Sequence, residues 1–206
     1  MDRRDFLKTV AVSGAAMTIQ RSEAMEILTQ AVNSTGKPDL VAVMGDEPEL
    51  MFQRAIAELG GMKQFVKSGQ KVVVKPNIGW DKVPELAGNT NPKLVAEIVK
   101  QCFAAGAKEV TVFDHTCDDW QKCYKNSGIE SAAKAAGAKV MPAHLESYYR
   151  PVDLPKGKNM KKAKIHEAIL NCDVWINVPI LKNHGGANLT IAMKNHMVIV
   201  CDRVYF

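Results

Sequence analysis

Lys182, Asn183 and His184, followed at once by Gly185 and Gly186, put a cation, an amide and an imidazole beside two residues that let a backbone come close to a ligand. They sit in INVPILKNHGGANLTIAMKN (176–195), where an apolar run stops at Pro179 and a polar segment continues to Thr190, Lys194 and Asn195. Lysine and amide donors suit a small anion, carboxylate or phosphate. An imidazole beside such an anion can also move a proton near neutral pH.

Two further polar groups recur at the ends of apolar runs. Lys75 and Asn77 bracket Pro76 after a Val-rich run, and Asp114-His115 follows KEVTVF. With Asn177 they read as one row: Lys75, Asn77, Asn177, Lys182, Thr190, Lys194 and Asn195 as ligand-binding residues, and His184 with Asp114 as the proton-transfer pair. Each has a plainer reading. Lys75 suits a solvated strand end, and Asn77, Asn177 and Asp114 suit turn caps. A metal reading would use His115, Cys117 and Cys123, but the spacing H-x-C-x5-C matches no compact ligand motif, and a disulfide or free thiols compete with it. The chain has no CxxC pair, no GxGxxG fingerprint, no P-loop and no serine in a strand-to-helix elbow.

Such a row needs strands that end on one edge. The runs Leu40–Met44, Gln70–Lys75, Lys108–Phe113, Lys139–Met141 and Val174–Val178 read as buried strands. Between them lie helical patterns: Phe52, Ala55, Ile56 and Leu59 after Pro48; Leu94, Val95, Ile98, Val99 and Cys102 after Asn91-Pro92; Ile129–Ala136; and Ile165, Ala168, Ile169 and Cys172. Asn77–Asn91 and Thr116–Lys125 read as irregular loops, and 146–155 as an extended or hairpin excursion. Strands alternating with helices predict an α/β fold, a mostly parallel sheet with flanking helices in Rossmann-like layering, whose strand carboxyl ends carry the ligand. His144 and His166 read as surface or helix residues.

The chain has 206 residues, 47% apolar and 24% charged, which suits a globular domain with a real core. The net charge of +5 is spread thinly. Only Lys156–Lys164 clusters, without interleaved aromatics, and reads as a solvated loop and helix start, so no nucleic-acid partner is expected. No apolar run reaches the ~18 residues of a transmembrane span. Residues 1–24 resemble a twin-arginine export signal: Arg3-Arg4, a weakly apolar Thr9–Ile19, and Ser22-Glu23-Ala24 as a cleavage site. The expected organisation is that signal, a polar lead-in over 25–39, and one α/β domain over 40–206. Export machinery would be a partner and the periplasm the location, or the cytoplasm if the signal is not functional. The run MVIVCDRVYF (197–206) is apolar and β-prone and stops abruptly, which reads either as a buried last strand or as an incomplete chain.

Lys75-Pro76-Asn77, Asn89-Thr90-Asn91-Pro92, Ala105-Gly106-Ala107, Asn177-Val178-Pro179, Lys182-Asn183-His184, Thr190 and Lys194-Asn195, taken together over residues 37–206, resemble the family catalogued as domain of unknown function 362. The resemblance implies an α/β fold and little settled activity. Some members of that family carry ferredoxin-like iron–sulfur segments, which implies a metal or cluster cofactor and a redox partner, although this chain has no such ligand motif. Members usually continue past Lys-Asn, so the chain resembles an amino-terminal portion. Where the family reads Lys-Asn-Leu-Met-Gly, this sequence has Lys194-Asn195-His196-Met197-Val198. Three readings follow: a protein that binds a small anion with proton-transfer chemistry, a metal or redox accessory module, or a truncated relative without activity.

Overall fold

The structure is a computed structural model that describes residues 38–45 and 47–201. The export signal and all but the last two residues of the lead-in lie outside the described residues, as do 202–206.

The Val-rich run forms β1 (Lys71–Pro76), and KEVTVF supplies β2 (Glu109–Phe113). β3 (Lys139–Met141) is short and β6 (Val174–Val178) follows a long excursion. These four strands make one parallel sheet in the order β3-β2-β1-β6. The chain leaves β1 toward β2 and β3, then returns to the other side of β1 as β6. The carboxyl end of β1 is therefore where the strand order reverses, the place at which open α/β sheets bind ligands.

Strand alternation decides what covers each face. Val72 and Val74 point into a core shared with helix α1 (Pro48–Glu58), helix α2 (Pro92–Ala104), helix α3 (Trp120–Asn126) and helix α4 (Ile129–Ala135). Val73 points the other way, against Phe113, Ala143, Tyr149 and Ala168. That second face is covered by an antiparallel pair, β4 (Tyr149–Asp153) with β5 (Lys162–His166), and by the one-turn helix α5 (Glu167–Leu170). A second small antiparallel pair, β7 (Lys182–His184) with β8 (Asn188–Thr190), leads into helix α6 (Ala192–His196).

Local signals explain the helix starts. Pro48 and Pro92 open α1 and α2 at positions where a missing N–H costs nothing, and Asn91 Oδ1 accepts from Lys93 N at 2.9 Å. Asp119 Oδ1 accepts from Lys122 N at 2.9 Å and starts α3. Gly106, between α2 and β2, has φ +100°, and a Cβ there would lie 3.1 Å from Ser68 Cα, so only glycine makes this turn without strain.

Four expectations fail. Leu40–Met44 is not a strand; Leu40 and Met44 are exposed. The loop expected over Thr116–Lys125 contains the start of α3. Lys156–Lys164 leads into a strand, and the helix expected from Ile165 to Cys172 shrinks to α5, because Ile165 pairs with Arg150 in the β4–β5 ladder. His166 is no surface residue: it is fully buried, stacked on Phe113 at 4.0 Å, and its Nδ1 accepts from Ala168 N to cap α5. Burial lowers its pKa from the ordinary imidazole value.

Candidate functional site

The carboxyl ends of β1, β2 and β6 converge as the sequence requires, in two tiers. The lower tier is sealed. Lys75 Nζ donates to Asp114 Oδ1 at 2.7 Å, Asn195 Oδ1 at 2.9 Å and Pro76 O at 3.0 Å. Asp114 also accepts from His115 N at 2.9 Å and from Ile78 N at 2.6 Å. Asn195, brought in by α6, donates through Nδ2 to Asn177 Oδ1 at 2.7 Å and to Lys75 O at 3.2 Å. It thereby ties the ends of β1 and β6 together. Two residues outside the predicted row brace this tier. Thr90 Oγ1 accepts from Asn77 N and donates to Val178 O, both at 2.8 Å. The Tyr124 hydroxyl accepts from Asp114 N at 2.7 Å and lies 2.8 Å from Asp114 O and 3.0 Å from Met141 O. Burial holds the Tyr124 phenol well above its usual pKa, so it stays a hydroxyl.

The upper tier is a cavity of about 90 Å³ walled by Asn77, Asp114, His115, Lys182, His184 and Lys194, with Gly79, Trp80, Cys117, Thr190, Met197 and Val198 completing it. Drug-sized ligands need roughly 300–1,000 Å³. A few waters or one small ion is what this space admits. Lys182 Nζ donates to Asn77 Oδ1 at 2.8 Å and to Gly88 O, and lies 6.0 Å from the centre of the Trp80 ring. Burial lowers the Lys182 pKa, with Cys117 and Asp114 pushing it back up. A bound anion would offset that burial cost.

His184 is held by its own loop. Its Nδ1 accepts from Gly186 N at 3.1 Å and Ala187 N at 3.0 Å. A nitrogen that accepts two N–H groups carries no proton, so the neutral ring is the Nε2–H tautomer. The ring nitrogen that His184, a residue of the cavity lining, keeps as a donor is thus Nε2.

Of the sequence-predicted row, Asn77, Asp114, Lys182, His184, Thr190 and Lys194 line the cavity. Lys75, Asn177 and Asn195 do not; they form the floor, and Lys75 is 0% exposed. Thr190 Oγ1 is turned to Ile180 O at 3.1 Å and Lys182 O at 3.3 Å. Sequence reading missed Trp80 and Tyr149, which lie in loops or strands with no motif around them.

The metal set does not assemble. Cys117 and His115 line the cavity, but Cys123 is buried, its Sγ 4.0 Å from Gly79 O, and no disulfide joins it to Cys117. Among the described residues no three His, Cys, Asp or Glu side chains gather as a ligand group. All five cysteines fall among the described residues, and burial pushes Cys102 up to about 12 and Cys123 up to about 11. Among the described residues the thiols form no ligand group, and those of Cys102, Cys123 and Cys172 are held toward the protonated form by burial.

An open parallel α/β sheet flanked by helices, with a small cavity at the point of strand reversal, defines a class of α/β proteins with Rossmann-like layering. Within that class the chain belongs to the family described as Domain of unknown function (DUF362), whose family model matches residues 72–205. It is also 26% identical over 137 residues to the thylakoid-associated protein sll1697 of Synechocystis sp.. The match covers 66% of this chain and 41% of that relative, so the chain spans less than half the relative's length. Among the described residues no helix is long and apolar enough to cross a membrane.

Proposed function

We propose that the chain binds a small anionic molecule at the strand carboxyl ends, held by Lys182, Lys194, Asn77 and the His184 Nε2–H, with His184 as the proton donor. The observation that carries this reading is the cavity itself: two lysines and a donor-form imidazole surround a space too small for a nucleotide. Asp114 serves indirectly, because its carboxylate is committed to Lys75 and two backbone N–H groups. Lys75 in turn acts through Asn195 and Asp114 rather than by touching the ligand. Calorimetric titration of the chain with phosphate, sulfate and small carboxylates tests the proposal. Binding that weakens about tenfold or more in Lys182→Met and His184→Ala supports it, and affinities unchanged in both variants overturn it.

Export through the twin-arginine route is a second element, carried by Arg3-Arg4 and the weakly apolar stretch behind them. Cell fractionation of the wild-type chain and of an Arg3→Lys/Arg4→Lys variant tests it; equal cytoplasmic retention of both would rule it out.

A further inference from the structure

We propose that Lys182 is a nucleophile as well as a cation: the anion this site takes is a small 2-oxo acid, whose carbonyl carbon condenses with Lys182 Nζ to an imine. The inference rests on the anion-binding reading above and names the substrate class for it.

Two lysines at this sheet edge are held in opposite ways. Lys75 Nζ meets the Asp114 carboxylate at 2.7 Å, which favours its charged form. Lys182 Nζ has neutral acceptors instead, Asn77 Oδ1 at 2.8 Å and the carbonyl of Gly88. The Asn77 amide is oriented from its other end. Its Nδ2 donates at 3.3 Å to Asn195 Oδ1, which also accepts from Lys75, so the carbonyl oxygen of Asn77 is the atom that meets Lys182. Among the described residues Lys182 makes no ion pair, and its side chain donates to just these two oxygens. A neutral amine has two N–H groups and a lone pair, so it keeps both bonds when the ammonium loses its third proton. Burial lowers the Lys182 pKa against the opposing pull of Cys117 and Asp114, which raises the share of that neutral form. Desolvated lysines of this kind attack carbonyl carbons.

The cavity lining supplies the other half of the substrate's needs. Lys194 and the His184 Nε2–H are donors suited to a carboxylate. A space of about 90 Å³ limits the choice to the smallest oxo acids, such as glyoxylate, which has as many non-hydrogen atoms as phosphate. A simple anion would use the donors alone, whereas an oxo acid uses the donors and the amine together. In the step itself the Lys182 ammonium first releases one proton to solvent. The Nζ lone pair forms the C–N bond while the carbonyl π pair moves to oxygen, which takes a second proton from Nζ. The released proton returns to that hydroxyl, the C–O bond breaks, and water leaves as the nitrogen lone pair closes the C=N bond. Ammonium plus carbonyl thus becomes protonated imine plus water, with nothing oxidised or reduced.

Reductive trapping on the full chain is the test. The protein is incubated at pH 8 with glyoxylate and sodium cyanoborohydride, which fixes an imine as a stable amine, and peptide mass mapping locates the carboxymethylated lysines. Lys182 is expected to be labelled at least tenfold faster than any exposed lysine, a readout that needs no variant. Inorganic phosphate should slow labelling of Lys182 and leave the exposed lysines as they were. Acetaldehyde, which has the carbonyl without the carboxylate, should show at least tenfold less preference for Lys182. Lys182→Arg, which keeps a charge but forms no imine, should lose the selective adduct. Labelling of Lys182 no faster than exposed lysines, Lys194 labelled in its place, selective labelling indifferent to phosphate, or equal selectivity with acetaldehyde overturns the covalent step. Calorimetric binding of phosphate, sulfate or small carboxylates leaves the anion reading standing in each of those cases, and absence of binding by all of them overturns both.

Discussion

The Lys75 ammonium and the Asp114 carboxylate meet at 2.7 Å from the ends of adjacent parallel strands, with 0% and 1% of their side-chain surface exposed. A buried pair of this kind adds little net stability, but removing one partner strands the other charge. Lys75→Met should therefore cost about 3–5 kcal/mol in denaturant unfolding. The double variant Lys75→Met/Asp114→Asn should recover a large part of that loss, because no lone charge remains. A double variant no better than the single one would show that the pair is not the seat of the effect.

Asn195 is the joint between β1 and β6. It accepts from Lys75 Nζ and donates to Asn177 Oδ1 and Lys75 O while 3% exposed. Asn195→Leu leaves those groups unsatisfied at about 1–3 kcal/mol. Because Lys182 reaches the same network through Asn77, whose Nδ2 is 3.3 Å from Asn195 Oδ1, anion affinity should fall as well, without any lost ligand contact. Thermal unfolding and phosphate titration of one variant check both effects.

The sheet was largely legible: β1, β2, β3 and β6 fall within a residue or two of the apolar runs that predicted them. Leu40–Met44 misled because five apolar residues cannot show whether a neighbouring strand exists to pair with them; pairing is non-local. β5 did carry a readable signal, the alternation Lys162, Ala163, Lys164, Ile165, but the i, i+3, i+4 spacing of Ile165, Ala168 and Ile169 read as helix. In the site, residue types located the edge, and topology then divided them into floor and wall. No spacing rule could put Asn195 under the cavity, since α6 delivers it from 120 residues beyond Lys75. The missing family glycine at Val198 also resolves. Val198 lies in a 3₁₀ turn, Met197–Ile199, and is absent from the positive-φ positions, so the turn is made without glycine and a side chain joins the cavity wall instead.

Thiol burial sets an alkaline limit. Cys102 and Cys123 are raised from 9.0 to about 12 and about 11 by burial, so below pH 9 both folded and unfolded chains hold these protons. Above it the unfolded chain loses them first and stability falls, by up to about 1.4 kcal/mol per pH unit for each thiol. The fall from Cys123 should level off near pH 11 and that from Cys102 near pH 12. Urea unfolding at pH 8, 9, 10 and 11, with Cys102→Ala flattening the slope, measures this. At pH 8 a thiol reagent should modify exposed Cys117 well before either buried cysteine.

Lys182 gives the site its own optical and pH signatures. Its Nζ lies 6.0 Å from the Trp80 ring centre, so an anion drawn to Lys182 should change Trp80 fluorescence, and Trp80→Phe should abolish the change. Burial lowers the Lys182 pKa from 10.5, so the charge that attracts the anion fades at a lower pH than an ordinary lysine's would. Affinity should decline with rising pH before 10.5 is reached, and Lys182→Arg, which keeps its charge, should move that decline upward.

Val198 limits what the cavity can take. With Met197 it supplies apolar lining to a space of about 90 Å³. Val198→Gly removes that part of the wall at a backbone cost of about 1 kcal/mol in a helical turn. The variant should bind acetyl phosphate or a comparably larger anion at least tenfold better than the wild-type chain does, while inorganic phosphate changes by less than about threefold, since an added CH₂ of space is worth ~1–3 kcal/mol only to a ligand that fills it. Equal gains for both anions would mean that Val198 tunes the lysines rather than the size of the site.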